Sequence, residues 1–292
     1  MAVVHPQFNP IALDLGFIQM HWYGLMYLLA FAFAYGLALY RSKRRDDFIN
    51  ADMISDLVFF GAMGVILGGR IGYVILYNFD EFLSNPLYLF KVWEGGMSFH
   101  GGFLGVVMAM FWFAKKYKKS VFAVLDFIAP CVPTGLFFGR IGNFINGELW
   151  GRVSSGDYGY LMYFPQAATA DNELLTLDPN LSTIAHEVGS YLLLPRHPSQ
   201  LYQAFTEGVL LFIVLWLFSL KPRPRYAISA LFLLGYGASR FITEFFRQPD
   251  VGYELIFGWM SKGQLFSLPM IILGVILMIL AYKNPIYDQK LS

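Results

Sequence analysis

Apolar residues fill this chain in long, nearly unbroken blocks, far longer than the stripe of an amphipathic surface helix. Crossing a bilayer takes about 20 mostly apolar residues in helical form. The runs 17–40, 53–77, 98–114, 122–145, 200–220, 226–246 and 263–282 qualify. They predict an all-α integral membrane protein with seven transmembrane helices, folded as a single membrane domain over 1–292. The connections alternate in character. Arg41-Ser-Lys-Arg-Arg45, Lys115-Lys-Tyr-Lys-Lys119 and Lys221-Pro-Arg-Pro-Arg225 are short and basic, and Lys283 and Lys290 extend the series into the tail. Basic loops stay on the cytoplasmic side, which places the N-terminus outside and the C-terminus inside. Six or eight spans would break the alternation. The opposite side carries the longer connections 78–97 and 147–199. The second has a polar middle, Ser154-Ser-Gly-Asp157 and Asp171-Asn-Glu173, and is expected to form a small extracytoplasmic cap.

Composition agrees with this class. Hydrophobic residues make up 57% of the chain and charged residues 14%, where a soluble domain carries about 25% charged residues. A net charge of +1 says little, because the charge is sorted by side. The single cysteine, Cys131, excludes an internal disulfide and is expected to pack rather than react. The five histidines show no metal-ligand spacing and no phosphate-binding glycine loop is present, so no metal, cofactor or nucleic acid is expected. No basic residue precedes the first apolar run and no small-residue cleavage site fits, so no cleavable signal is expected. No internal repeat is visible. Glycines at small-xxx-small spacing (Gly64, Gly68 and Gly72; Gly101 and Gly105; Gly135 and Gly139) predict close helix packing.

Against that background the intramembrane polar residues stand out. A charged side chain at the bilayer centre costs roughly 2.5–3.5 kcal/mol on insertion scales. Given the orientation above, His21, Trp22, Tyr23, Arg70, His100, Arg140, Asn143, Tyr236, Arg240, Glu244 and Arg247 all fall toward the outer leaflet. The cytoplasmic half holds chiefly Asp52, Asp56 and Asp126. Tyr236, Arg240, Glu244 and Arg247 recur at helical spacing and share one face, where Glu244 has Arg240 and Arg247 within reach. Arg140 and Asn143 share another face, with Asn146 and Glu148 just beyond. Glu148 and Glu244 are then expected to face four arginines, Arg70, Arg140, Arg240 and Arg247. The excess of positive charge fits an anionic ligand, and the planar guanidinium matches phosphate. Arg70 reads equally as a ligand-facing residue or a partner of a helix end, and Arg247 as an interfacial structural residue. Trp22 and Tyr23 also suit an aromatic belt, and His100 an interfacial contact. Gln203 and Glu207 read as supporting polar contacts.

The run Gly139-Arg-Ile-Gly-Asn-Phe-Ile-Asn-Gly-Glu-Leu-Trp-Gly151 resembles the signature of the prolipoprotein diacylglyceryl transferase family. His21-Trp-Tyr-Gly24, Gly68-Gly-Arg-Ile-Gly-Tyr73, Gly95-Gly-Met-Ser-Phe-His-Gly-Gly102, Arg196-His-Pro-Ser-Gln-Leu-Tyr202 and Gly235-Tyr-Gly-Ala-Ser-Arg240 through Glu244-Phe-Phe-Arg-Gln-Pro-Asp250 are similar to further blocks of that family. Gln203 departs from the Glu expected after Leu-Tyr, and 152–194 matches no motif. The resemblance implies a multi-pass enzyme of the bacterial inner membrane. It would transfer the diacylglyceryl group of phosphatidylglycerol to the lipobox cysteine thiol of a preprolipoprotein signal peptide, releasing glycerol 1-phosphate. It also implies functional roles for Tyr23, His100, Arg140, Asn143, Glu148, Gly151, Tyr236, Arg240 and Glu244.

Such a reaction needs three things from the residues. Arg140 and Arg240 would clamp the phosphate and stabilise its departing charge. His100, or the arginine field alone, would help the substrate thiol lose its proton. Tyr23, Asn143, Asn146, Glu148, Gly151, Tyr236 and Glu244 would surround the lipid headgroup. Both substrates would enter sideways from the membrane lipids. Two other readings compete. An anionic-lipid transporter or flippase would favour a midplane site and duplicated halves, and a phospholipid hydrolase would use water in place of the thiol.

Overall fold

The computed structural model describes residues 2–16, 19–43, 48–91, 95–156, 160–249 and 255–288, apart from the side chains of Phe99 and His100. The expected start of the first span at 17, and Arg44, Arg45, Asp157, Asp250 and Lys290, lie outside those residues. Helices dominate. Five stretches are long and apolar enough to cross a membrane: Trp22–Ser42, Ala51–Tyr77, Val121–Ile145, Ser199–Phe218 and Lys262–Lys283. The first two are α1 and α2, and the last is α11. Two shorter helices, α4 (Phe99–Lys116) and α10 (Ala227–Thr243), have 18 and 17 residues. Between α2 and α4 lie α3 (Phe79–Ser84) and a 3-10 turn, Pro86–Phe90.

Two of the long stretches are interrupted where the sequence gives cause. Val121–Ile145 comprises α5 (Val121–Ile128), a 3-10 turn over Ala129–Cys131 and α6 (Val132–Ile145). Pro130 and Pro133 lack the N–H groups that a continuous helix needs. Ser199–Phe218 comprises α8 (Ser199–Gln203), a π-helical segment (Ala204–Leu210) and α9 (Leu211–Phe218).

Side chains define several helix starts. Asn50 caps α2 by accepting from Met53 N at 2.9 Å, and Ser98 caps α4 by accepting from Gly101 N at 3.2 Å. Ser261 and Gln264 form a reciprocal capping box at α11. Asp126 on α5 accepts from Tyr226 N and Ser229 N, both at 2.8 Å, and so anchors the start of α10. The expected 226–246 span ends early, at Thr243. The chain turns there so that Phe246 O can accept from Arg152 N at 2.8 Å.

The closest helix contact is the α2–α4 seam. A Cβ on Gly68 would fall 2.4 Å from Gly101 O, and one on Gly105 would fall 2.1 Å from Gly64 O. Only hydrogen fits there, as the small-residue spacing predicts. Gly139 is different, with open space where a Cβ would sit. The main core packs Ala38 of α1 and Ile54 and Leu57 of α2 against Met110 and Phe113 of α4 and Val124 and Phe127 of α5. Cys131 is buried in this core, as expected.

The connection after α6 is folded. β1 (Val3–Val4), from the N-terminal segment, pairs in parallel with β4 (Met162–Tyr163). β2 (Ile11–Asp14) and β3 (Gln19–His21) form an antiparallel pair leading into α1, and β5 (His186–Val188) and β6 (Tyr191–Leu193) form another. α7 (Ala168–Leu177) supplies Asp171, which holds Arg196 through Nε at 2.8 Å and Nη2 at 2.5 Å. Arg196 also donates to Gly151 O at 3.0 Å, tying the connection to the end of the signature. Burial pushes the Asp171 carboxyl up and the Arg196 guanidinium down in pKa, each against the pull of the other.

Candidate active site

α6, the π segment and α10 with the turn that follows it bring five charged side chains into one alternating chain. Arg140 on α6 reaches Glu207 on the π segment, with Nε 3.2 Å and Nη2 3.0 Å from Oε2. Arg240 on α10 faces the other oxygen of Glu207 at 3.8 Å. Its Nη2 lies 2.9 Å from Glu244 Oε2, and Arg247 Nη1 lies 3.2 Å from Glu244 Oε1. The order is Arg140, Glu207, Arg240, Glu244, Arg247, three cations around two carboxylates. The carboxylates are the buried members, with side-chain exposures of 0% for Glu207 and 2% for Glu244, against 16% and 15% for Arg140 and Arg240. The arginines are thus the less buried members of the chain. Two facing atoms, Glu207 Oε1 and Arg240 Nη1, have no hydrogen-bond partner among the described residues, and neither does Gln203 Nε2. A buried charge with unused hydrogen-bonding capacity is costly unless something completes it.

Local backbone explains how Glu207 gets there. A π-helical stretch inserts an extra residue per turn and turns the following side chains to a new direction, and such stretches often mark functional sites. Gly208, next in sequence, allows the close approach to α6, since a Cβ there would lie 2.7 Å from Phe137 Cβ. Gly263, in the first turn of α11, plays the same part for Glu244. A Cβ on it would sit 2.6 Å from the carboxylate carbon, so the Glu244 charge meets the N-terminal end of α11, where the helix dipole favours an anion.

The signature turn closes one side of the site. Glu148 N donates to Asn143 O at 2.9 Å, and Gly147 takes φ +67°. Asn146 Nδ2 donates to Glu148 Oε1 at 3.0 Å. The Asn143 side chain is buried. Gln200 and Ser199 hold the turn by donating to Glu148 O at 2.6 Å and Leu149 O at 2.9 Å. Tyr23 packs on Gly142, where a Cβ would be 3.3 Å from its ring, and lies in electrostatic reach of Arg140 and Glu148. Tyr236 lies in electrostatic reach of Glu207, Arg140 and Arg240.

Several expectations change. Glu148 does not pair with the arginines. Glu207, read from sequence as a supporting contact, is the carboxylate that joins Arg140 to Arg240. Arg70 is not in the cluster. It donates to the carbonyls of Leu89 at 3.2 Å, Gly95 at 2.5 Å and Tyr88 at 2.6 Å. Gly151 fits between backbones, with a Cβ position only 2.3 Å from His197 O. The Glu244 pairing with both Arg240 and Arg247 is as expected. His100 lies in the first turn of α4, but its side chain is outside the described residues. Glu207 carried one sequence signal: with Gln203 it makes an i, i+4 polar pair just before the apolar run that follows Gly208.

Comparison with known proteins supplies further findings. Residues 10–280 match the family described as prolipoprotein diacylglyceryl transferase. The chain is 67% identical over 288 residues to the phosphatidylglycerol–prolipoprotein diacylglyceryl transferase of Psychrobacter arcticus, covering 98% of this chain and 97% of that one. The enzymes of the same name from Acinetobacter baumannii and Acinetobacter baylyi are 58% and 55% identical to it over the same shares.

Proposed function

The chain belongs to the prolipoprotein diacylglyceryl transferase family, and from that membership we propose how its residues carry the reaction. It is a multi-pass membrane transferase that moves the diacylglyceryl group of phosphatidylglycerol onto a prolipoprotein. The finer assignments rest on the arginine–carboxylate chain. Arg140 and Arg240 bind the lipid phosphate, whose oxygens accept from the Arg240 Nη1 that has no hydrogen-bond partner among the described residues. Glu207 and Glu244 hold both guanidiniums in place before substrate arrives, so little reorganisation accompanies charge development. Tyr23, Asn143, Asn146, Glu148, Gly151, Tyr236 and Glu244 form the surroundings of the headgroup.

The acceptor is the lipobox cysteine of the signal peptide. Its sulfur attacks the glycerol carbon that bears the phosphate ester. The carbon–oxygen bond breaks, its electron pair goes to the phosphate oxygen, and glycerol 1-phosphate leaves as the thioether forms. The thiol proton goes to His100, the titratable base that the family motif puts at this position, and the surplus of positive charge favours the thiolate. The nucleophile belongs to the substrate, in keeping with a buried Cys131.

The topology in this reading is seven spans in the bacterial inner membrane. α4 and α10 supply the sixth and seventh, since each runs beside a long span, α2 and α11 respectively. The basic loops face the cytoplasm, and 147–199 forms the extracytoplasmic cap. The observation that carries the functional reading is the Arg140–Glu207–Arg240 bridge. The experiment is product analysis with purified protein, phosphatidylglycerol and a lipobox peptide. Diacylglyceryl thioether on the cysteine with stoichiometric glycerol phosphate is the expected result, lost when the peptide cysteine is serine. Glycerol phosphate released without any peptide would indicate hydrolysis instead.

A further inference from the structure

The N-terminal segment precedes the first long helix in the chain and reaches the signature turn. Val3 N donates to Leu161 O at 3.0 Å and His5 N to Tyr163 O at 2.8 Å, continuing the β1–β4 pairing. The His5 ring stacks on Phe164 with centroids 5.0 Å apart and meets Phe144 edge-on at 4.9 Å. His5 is 1% exposed, and its Nε2 lies 2.7 Å from Phe144 O. A carbonyl only accepts, so Nε2 carries the proton. Nδ1 is buried without a partner among the described residues. A second proton there would bury a charge with no acceptor. Burial accordingly holds the His5 pKa below the ordinary 6.5, against the opposing pull of the Phe144 carbonyl. The ring's aromatic neighbours are Phe8, Phe144 and Phe164, and no charged side chain contributes to that shift.

Phe144 sits in the last turn of α6, next to Asn143 and one helical turn after Arg140. Its carbonyl also accepts from Gly147 N at 3.0 Å, the bond that shapes the turn. Gln7 donates to His5 O at 3.1 Å, and Gln166 donates to Gln7 Oε1 at 3.4 Å. The Gln166 side chain fills the space beside Gly147, where a Cβ would fall 2.3 Å from it. The turn is therefore held from two directions, by Ser199 and Gln200 on one side and by the His5 segment on the other.

We propose that His5 is a positioning residue for the transfer: its ring N–H fixes the last turn of α6, and with it Arg140 and Asn143. The inference rests on the assignment of Arg140 and Asn143 to the lipid headgroup. His5 acts through the Phe144 backbone and touches no reacting group. A displacement on the order of 1 Å at a reacting group lowers a rate roughly 100-fold, so a loosened turn should be visible in kcat.

The test compares His5→Phe, which keeps the ring stack without a donor, with His5→Gln, which restores an amide donor, and with Arg140→Ala. Kinetics on phosphatidylglycerol vesicles with a lipobox peptide should show kcat reduced about 10- to 100-fold in His5→Phe. His5→Gln should regain most of it, and Arg140→Ala should be inactive. Wild-type kcat in His5→Phe beside an inactive Arg140→Ala overturns the proposal alone. Equal losses in His5→Phe and His5→Gln also overturn it, in favour of packing. An active Arg140→Ala overturns the site assignment and the inference with it.

Unmodified protein gives an independent reading. The stability that His5 contributes as a buried neutral ring is fully present above pH 6.5 and is lost as pH falls through the lowered folded value, where a charge forms at the partnerless Nδ1 and strains the tie. Deuterium uptake, corrected for intrinsic exchange, should rise together in residues 3–7 and 144–148 as pH is lowered stepwise below 6.5. A rise in one segment without the other, or in neither, contradicts the tie.

Discussion

Arg70 and Arg140 both project from long apolar helices inside glycine-rich sequence, and they end in opposite circumstances. Arg70 is wrapped by backbone. Its guanidinium donates to Tyr88, Leu89, Gly95 and Gly96 and lies over the Tyr88 ring with its centre 4.6 Å from the centroid. Carbonyl dipoles neutralise it and take up most of its donors. Arg140 meets a carboxylate through one edge, its neighbour Arg240 leaves Nη1 without a hydrogen bond, and both side chains keep some exposure. The lesson is that an arginine in an apolar span is not by itself a ligand site. What separates the two regions is whether the guanidinium's donors are already occupied by the fold.

That contrast yields ordered expectations. The largest effect should come from Glu207→Ala. Breaking a buried ion pair by removing one partner costs roughly 3–5 kcal/mol, and here two arginines lose their shared carboxylate. Thermal unfolding in detergent should shift down steeply and transfer activity should vanish, whereas Glu207→Gln, which keeps an acceptor, should fall between. If Glu207→Ala were as stable and active as wild type, the bridge would have no role.

Next comes the seam. Gly105→Ala places a methyl 2.1 Å from Gly64 O, and overpacking of this kind costs roughly 1–3 kcal/mol. The unfolding midpoint should drop, with activity per folded molecule largely kept.

Arg70→Lys should be the smallest. An ammonium keeps three of the donors with which the planar fork reaches four carbonyls, so a single acceptor is left unmatched, at about 1–3 kcal/mol before relaxation reduces it. Stability should fall while the Michaelis constant for phosphatidylglycerol stays near wild type. A large rise in that constant would move Arg70 into the site and erase the contrast.

Much of this architecture was legible because the bilayer imposes lengths. The long helices at Ala51–Tyr77 and Lys262–Lys283 agree with the expected 53–77 and 263–282. The glycine seam followed from spacing alone, and the pairing of Glu244 with Arg240 and Arg247 followed from helical periodicity. The central place of Glu207 did not. It depends on a π insertion, which leaves no periodic trace in an apolar run. The fate of Arg70 was equally hidden, because its partners are backbone carbonyls, which sequence does not label. The connection between 152 and 194 was unreadable for a third reason. It is organised by non-local pairing, β1 with β4 and Asp171 with Arg196.

The most direct measurement is transfer activity per folded molecule for Arg140→Ala, Arg240→Ala and Arg70→Ala in one assay. Losing a preorganised electrostatic stabiliser costs on the order of 10²–10³ in kcat. The account expects that loss for Arg140→Ala and Arg240→Ala, with Arg70→Ala less stable but active once folded. Equal losses in all three, or full activity in Arg140→Ala and Arg240→Ala, would contradict it.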